Sequence, residues 1–125
     1  FEKRAAIGKQ NSGGKFEDDL VNDDSAIVYK SEDGLFIITG CSHSGICNII
    51  EYAKRVTGDN RIVGVIGGMH LFEIDNKLEK TIEYFKNNKI KKLYPCHCVS
   101  LKAKIEMGKR IEIHEVGVGT EICIN

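Results

Sequence analysis

Leu35-Phe36-Ile37-Ile38-Thr39-Gly40-Cys41-Ser42-His43-Ser44-Gly45-Ile46 begins as an apolar, β-branched run and passes through a glycine-bounded loop. It leads into a segment where Ile46, Ile49, Ile50, Ala53 and Val56 recur at three- and four-residue steps. That spacing predicts a strand, a loop and an amphipathic helix, with Gly58 placed for a left-handed C-terminal cap. Upstream, Ala26-Ile27-Val28-Tyr29 is a second β-like run, and the intervening Ser31-Glu32-Asp33-Gly34 carries the Asp-Gly signal of a tight hairpin. Downstream, Ile62 to Ile66 reads as a buried strand ended by Gly67-Gly68. A second helix has Leu78, Ile82 and Phe85 on one face, and Asn76 with Glu79 at capping-box spacing. Ile90 to Tyr94 is a strand stopped by Pro95, and a third helix from near Ser100 carries Leu101 and Ile105 and ends at Gly108. Two closing strands are expected at 111–116 and 120–124. After the hairpin the order is α-β-α-β-α-β-β, which argues for an α/β fold with a partly parallel sheet. Residues 1–24 are polar, with Asn11-Ser12-Gly13-Gly14 as a turn or loop signal, and an irregular arm is expected there. Residues 25–125 form the domain.

Lys plus Arg and Asp plus Glu number 18 each in 125 residues, so no net field draws the chain to nucleic acid or to a membrane surface. No apolar run approaches the roughly 20 residues of a membrane span. The first four residues, Phe1-Glu2-Lys3-Arg4, have neither the apolar core nor the cleavage site of a signal peptide. Starting at Phe, the chain reads as a piece of something longer or a processed product. Five cysteines, an odd count without disulfide-scaffold spacing, fit a reducing compartment, and a cytoplasmic location is expected.

The chemistry gathers after the strands. His43, His70 and His97 each follow the C-terminal end of a different expected strand. If those strands are parallel neighbours, their loops meet at one sheet edge, where α/β folds hold ligands. Imidazole is a transition-metal ligand and a general acid or base, so three on one rim suggest a metal site. The plainer alternative is that loop histidines are simply common. His114 falls with Glu112 on the polar side of an alternating strand and reads as structural.

Cys41 and His43 form a Cys-x-His, and Cys96-His97-Cys98 packs three donors together. Neither has the paired spacing of a closed structural zinc site. In an extended segment Cys96 and Cys98 point opposite ways, so at most one joins His97. Cys47 and Cys123 read as core or near-core residues. Cys41 lies just before a helix N-terminus, which favours thiolate. The loop Gly40, Ser42, Ser44, Gly45, together with Gly67 and Gly68, is a candidate anion- or substrate-binding loop through its backbone N–H groups. A simple tight turn reads it equally well.

Thr39-Gly40-Cys41-Ser42-His43-Ser44-Gly45-Ile46, Gly67-Gly68-Met69-His70-Leu71 and Pro95-Cys96-His97-Cys98 resemble the C-terminal half of one branch of the metallo-β-lactamase superfamily. That branch is the dihydropterin–ribofuranosylaminobenzene phosphate synthase-like one. Asp23-Asp24-Ser25-Ala26 and Val116-Gly117-Val118-Gly119-Thr120 extend the resemblance along the chain. It implies the C-terminal half of an αββα sandwich, a mixed sheet with helices mainly on one face. It also implies a divalent metal, zinc above all, and a small-molecule substrate. His97 corresponds to the last histidine motif, His43 to the Gly-Cys-x-His-Ser-Gly motif, and His70 to the Gly-Gly-x-His loop as ligand or substrate contact. The His-x-His-x-Asp-His loop of the N-terminal half has no counterpart in this sequence, and Cys41 stands where much of the superfamily has a bridging Asp.

The expectation is therefore half of a metal-dependent hydrolase, inactive alone, with His43, His97 and His70 as metal ligands and Cys41, Cys96 and Cys98 as site neighbours. The alternative is a non-catalytic metal-binding or self-associating module. A thiol redox module is a third reading, against which stands the lack of a Cys-x-x-Cys. The partner expected is a second copy, or a missing N-terminal half that covers the sheet's second apolar face.

Overall fold

The computed structural model describes residues 1–124; Asn125, the last residue of the expected domain, lies outside them. A hairpin joins β3 (Ala26–Lys30) antiparallel to β4 (Leu35–Thr39). From β4 the chain enters α1 (Ile46–Thr57), returns as β5 (Ile62–Gly67), and continues through α2 (Asn76–Asn87), β6 (Lys92–Pro95) and α3 (Leu101–Gly108). The four strands lie in the order β3-β4-β5-β6, with β4, β5 and β6 mutually parallel. The two helical crossovers that these parallel neighbours require are α1 and α2. Gly58 is the left-handed cap of α1, its N–H donating to Lys54 O.

Leu35, Ile37, Val65 and Leu93 point to the helical side and are sealed under Ile46, Ile50, Leu78, Ile82, Phe85, Ala103 and Met107. Lys54 is buried where α1 meets α2, its Nζ 2.7 Å from Glu51 Oε1 and 2.5 Å from Asn88 Oδ1. A buried ammonium is tolerable only when its donors are matched in this way. Among the described residues, the opposite sheet face has no helical cover. In register across it lie Ile27, Ile38, Ile66 and Tyr94, flanked by Tyr29, Phe36 and Lys92. Ile27, Tyr29 and Ile38 are 67%, 49% and 40% exposed, while Phe36 is buried across Gly64.

Three expectations need correction. The arm is not wholly irregular: β1 (Lys9–Ser12) and β2 (Lys15–Asp18) pair antiparallel around Gly13-Gly14, whose positive φ values of 60° and 88° suit a two-residue hairpin turn. The cap of α2 is Asp75, not Asn76; its side chain accepts from the Leu78 N–H at 3.0 Å. The two closing strands do not form. The last segment runs beside β6 with one backbone bond, His114 N to Leu93 O at 2.8 Å, while Ile111 and Ile113 pack against the core. His114 stacks on Tyr94 with ring centroids 4.8 Å apart.

Candidate metal centre

Because β4, β5 and β6 are adjacent and parallel, the loops after Thr39, Gly67 and Pro95 leave one edge of the sheet together. They are stitched to one another by main-chain bonds. Gly68 N donates to Gly40 O at 2.7 Å, Cys96 N to Gly67 O at 3.1 Å, and Leu71 N to Cys98 O at 3.2 Å. The approach is so close that a Cβ on Gly68 would collide with Gly40 O and stand 2.6 Å from Cys98 Sγ. Only glycine lets the second loop slide under the other two. Ser42, His70 and His97 all have left-handed backbones, at φ 58°, 48° and 51°. Such conformations are costly in non-glycine residues and cluster at functional sites.

At this edge Cys41, His97 and Cys98 bring one sulfur, one ring nitrogen and a second sulfur within 4.8 Å of one another. His97 Nε2 lies 3.1 Å from Cys41 Sγ. Cys98 Sγ donates to Cys41 O at 3.2 Å and accepts from the His70 N–H at 3.3 Å. Burial pushes the Cys98 thiol pKa up. Two thiols and an imidazole are soft and borderline donors of the kind zinc prefers. The left-handed turn at His97 lets Cys98, rather than Cys96, face Cys41.

His43 and His70 form a second pair beside the first, their ring centroids 4.8 Å apart. Phe72 meets the His70 ring edge-on. Nδ1 of both histidines is buried without a hydrogen-bond partner among the described residues. Burial, then the neighbouring His43 and Lys77, hold His70 below the usual imidazole pKa, which favours the neutral form. His43 and His70 pair with each other, and neither belongs to the group that His97 joins. The one group of three or more possible ligands among the described residues is Cys41, His97 and Cys98.

The expected anion loop is already supplied with carboxylates. Asp24 Oδ2 accepts the Ser44 N–H at 2.8 Å; against partial burial, this and further bonds from Ser44 and His43 hold the Asp24 carboxyl below its ordinary pKa. Glu2 Oε2 accepts the Asn48 N–H at 2.9 Å at the start of α1. The buried Ser42 hydroxyl donates to Gly68 O at 2.6 Å. The Ser44 N–H and the Ser42 hydroxyl are thus engaged within the protein. Asp24 is a site neighbour that helix and strand periodicity could not reveal; the only signal was the Asp23-Asp24 pair before β3. A 250 Å³ recess lined by Val21, Asp23, Asp24, Cys41 and His43 opens onto the centre. The larger groove, of 1230 Å³ along α1, is lined by none of these cysteines or histidines.

The loops after three adjacent parallel strands thus carry a Cys/His/Cys cluster with a histidine pair beside it. The chain belongs to the metallo-β-lactamase superfamily. Its fold matches the crystal structure of Tm1679, a metal-dependent hydrolase of the β-lactamase superfamily. The TM-score is 0.87 at 28% identity, covering 97% of this chain and 49% of that one. In sequence it is similar to the 7,8-dihydropterin-6-methyl-4-(beta-D-ribofuranosyl)-aminobenzene-5'-phosphate synthase of Methanocaldococcus jannaschii, 36% identical over 83% of this chain and 36% of the relative. An uncharacterized protein of the same organism is 40% identical over 77% of this chain and 35% of its own length. The chain thus spans about a third of the length of these curated relatives. No protein-family model matches it. No helix among the described residues is long and apolar enough to cross a membrane.

Proposed function

We propose that this chain is the C-terminal half of a metal-dependent hydrolase centre, holding zinc through Cys41, His97 and Cys98. The observation that carries the reading is the convergence of two sulfurs and one imidazole nitrogen at the sheet edge. The donor set fits: a thiolate at position 41, where much of the superfamily uses a carboxylate, selects a thiophilic ion over magnesium or calcium. Bound zinc would supply an acidified water and a polarised substrate bond. The chain's own groups would do the rest. His43 and neutral His70 face one another beside the centre and can exchange a proton with substrate, and the recess lined by Asp23 and Asp24 admits a small molecule.

Catalysis is proposed to require a second half. The sequence lacks the His-x-His-x-Asp-His loop, and the uncovered sheet face bearing Ile27, Tyr29 and Ile38 is where a partner would pack, either an N-terminal half or a second copy. Reducing surroundings in the cytoplasm would keep the thiols available. A second reading is favoured by the unpartnered Nδ1 atoms of His43 and His70: those two imidazoles, with His97, hold the metal, and the thiols are bystanders. The further alternative, a metal-binding or self-associating module without catalysis, shares the same ligands.

Zinc titration of the purified chain and its alanine variants tests the proposal. Cys41→Ala, His97→Ala and Cys98→Ala should each weaken zinc binding by about tenfold or more, in line with the loss of a ligand contact. Unchanged affinity in both cysteine variants, with loss in His43→Ala and His70→Ala, would transfer the site to the imidazoles.

A further inference from the structure

We infer that Cys41 and Cys98 form a reversible disulfide, a modification site that closes the centre under oxidation. Their sulfurs lie within 4.8 Å of one another. The Cys98 thiol is laid against its partner residue, donating to Cys41 O at 3.2 Å. A disulfide needs the sulfurs at about 2.05 Å, so forming it calls for side-chain rotation and a shift of the two loops. Both residues lie in loops beyond strand ends, and both are only partly buried, so a small oxidant can reach them.

The other cysteines are differently placed. Cys47, on the buried face of α1, is 4% exposed, and Cys123 is exposed in the final segment. Cys96 is absent from the cluster although it is two residues from Cys98.

With hydrogen peroxide as oxidant the balance is simple. The Cys41 sulfur takes one peroxide oxygen to become a sulfenic acid, and the first water leaves. The Cys98 sulfur then displaces hydroxide from that sulfenic sulfur; the thiol proton joins it as a second water, and the S–S bond forms. Two thiols are oxidised by two electrons and one peroxide is reduced to two waters. The consequence for metal rests on the function proposed above, because a disulfide removes both sulfur ligands at once and leaves His97 alone.

The test uses the full chain, reduced and metal-free, treated with hydrogen peroxide and mapped by mass spectrometry. Trypsin leaves Cys41 with Cys47 in one peptide and Cys96 with Cys98 in another, so fragmentation spectra and the Cys96→Ser variant assign the bond. The expected result is loss of two of the five thiols, one Cys41–Cys98 link, and full recovery with dithiothreitol. Cys98→Ser should abolish the link and let Cys41 run on to sulfinic acid, while Cys96→Ser should leave the link intact. Separate overoxidation of Cys41 and Cys98 in the unsubstituted chain, or links through Cys96 or Cys123, would overturn the inference. A second arm follows zinc release from loaded protein with a chromogenic chelator, expected at one ion per disulfide. A disulfide that forms with zinc retained removes the regulatory consequence. Failure to load zinc at all counts against the proposed function and leaves the first arm readable.

Discussion

The Glu2 carboxylate closes the N-terminus of α1 across Gly45. Its Oε2 accepts the Asn48 N–H at 2.9 Å, and a Cβ on Gly45 would collide with it. Gly45 has φ 94° and no side chain to cap the helix. The open N–H groups that the glycine-rich loop could have offered to a ligand are thus met from the other end of the chain. Asn48 Nδ2 adds a bond to Glu2 O at 3.2 Å.

Glu2→Ala is expected to cost about 1 kcal/mol, the usual value of a lost cap, read from urea denaturation. Gly45→Ala should cost more, because it adds backbone strain at positive φ and evicts the carboxylate. Burial raises the Glu2 pKa above its ordinary value despite the backbone bonds that lower it. A carboxyl whose pKa is higher in the folded state favours folding most when protonated. This stabilising contribution is lost as pH rises from the unfolded value through the folded one. Glu2→Gln should therefore gain on the unsubstituted chain as pH climbs from 4 to 7. A difference that moves the other way would show that the charge itself holds the cap.

Asp59 and Arg61 make the opposite case. Hydrogen bonds from the Arg61 side chain and main chain, at 3.1 Å and 2.9 Å to Oδ1, hold the Asp59 pKa down to about 2. A depressed carboxyl contributes stability above its unfolded pKa and loses it as pH falls through the folded value. Asp59→Asn should lower the melting temperature at pH 7, and the two melting temperatures should converge as pH approaches 2. Parallel curves across that range would remove the ionic contribution.

The open sheet face predicts association. Apolar surface costs roughly 25 cal/mol per Å² in water, and soluble monomers rarely keep a large contiguous patch. Light scattering at micromolar concentration should give a mass of two chains or more, and Ile27→Asp with Ile38→Asp should return it to one. Both positions are exposed, so the substitutions should leave the fold intact by circular dichroism. A monomeric unsubstituted chain that binds no hydrophobic dye would contradict this. No chelator-sensitive turnover of generic ester or phosphodiester substrates is expected from the chain alone.

The hairpin and the β4-to-α3 succession were legible because their apolar periods are local and strong. The final segment was not, since Ile111-Glu112-Ile113-His114 alternates as a strand does. Yet β6 offers only four residues, the last of them Pro95, and the segment gains a single bond to it, at Leu93. The β1–β2 hairpin is exposed throughout and so had no burial pattern to read, only its Gly13-Gly14 turn. At the site, the strand ends were enough to put the loops of His43, His70 and His97 at one sheet edge. An extended backbone could not show which neighbouring cysteine groups with His97; there the backbone turns left-handed, at φ 51°, and it is Cys98 that joins Cys41. The Glu2 cap spans 46 residues in sequence and leaves no local trace.

X-ray absorption at the zinc edge of the loaded chain tests the metal centre most directly. Two sulfur scatterers at about 2.3 Å with imidazole nitrogen at about 2.0 Å are expected from Cys41, Cys98 and His97. A first shell made only of nitrogen and oxygen would contradict the thiolate centre.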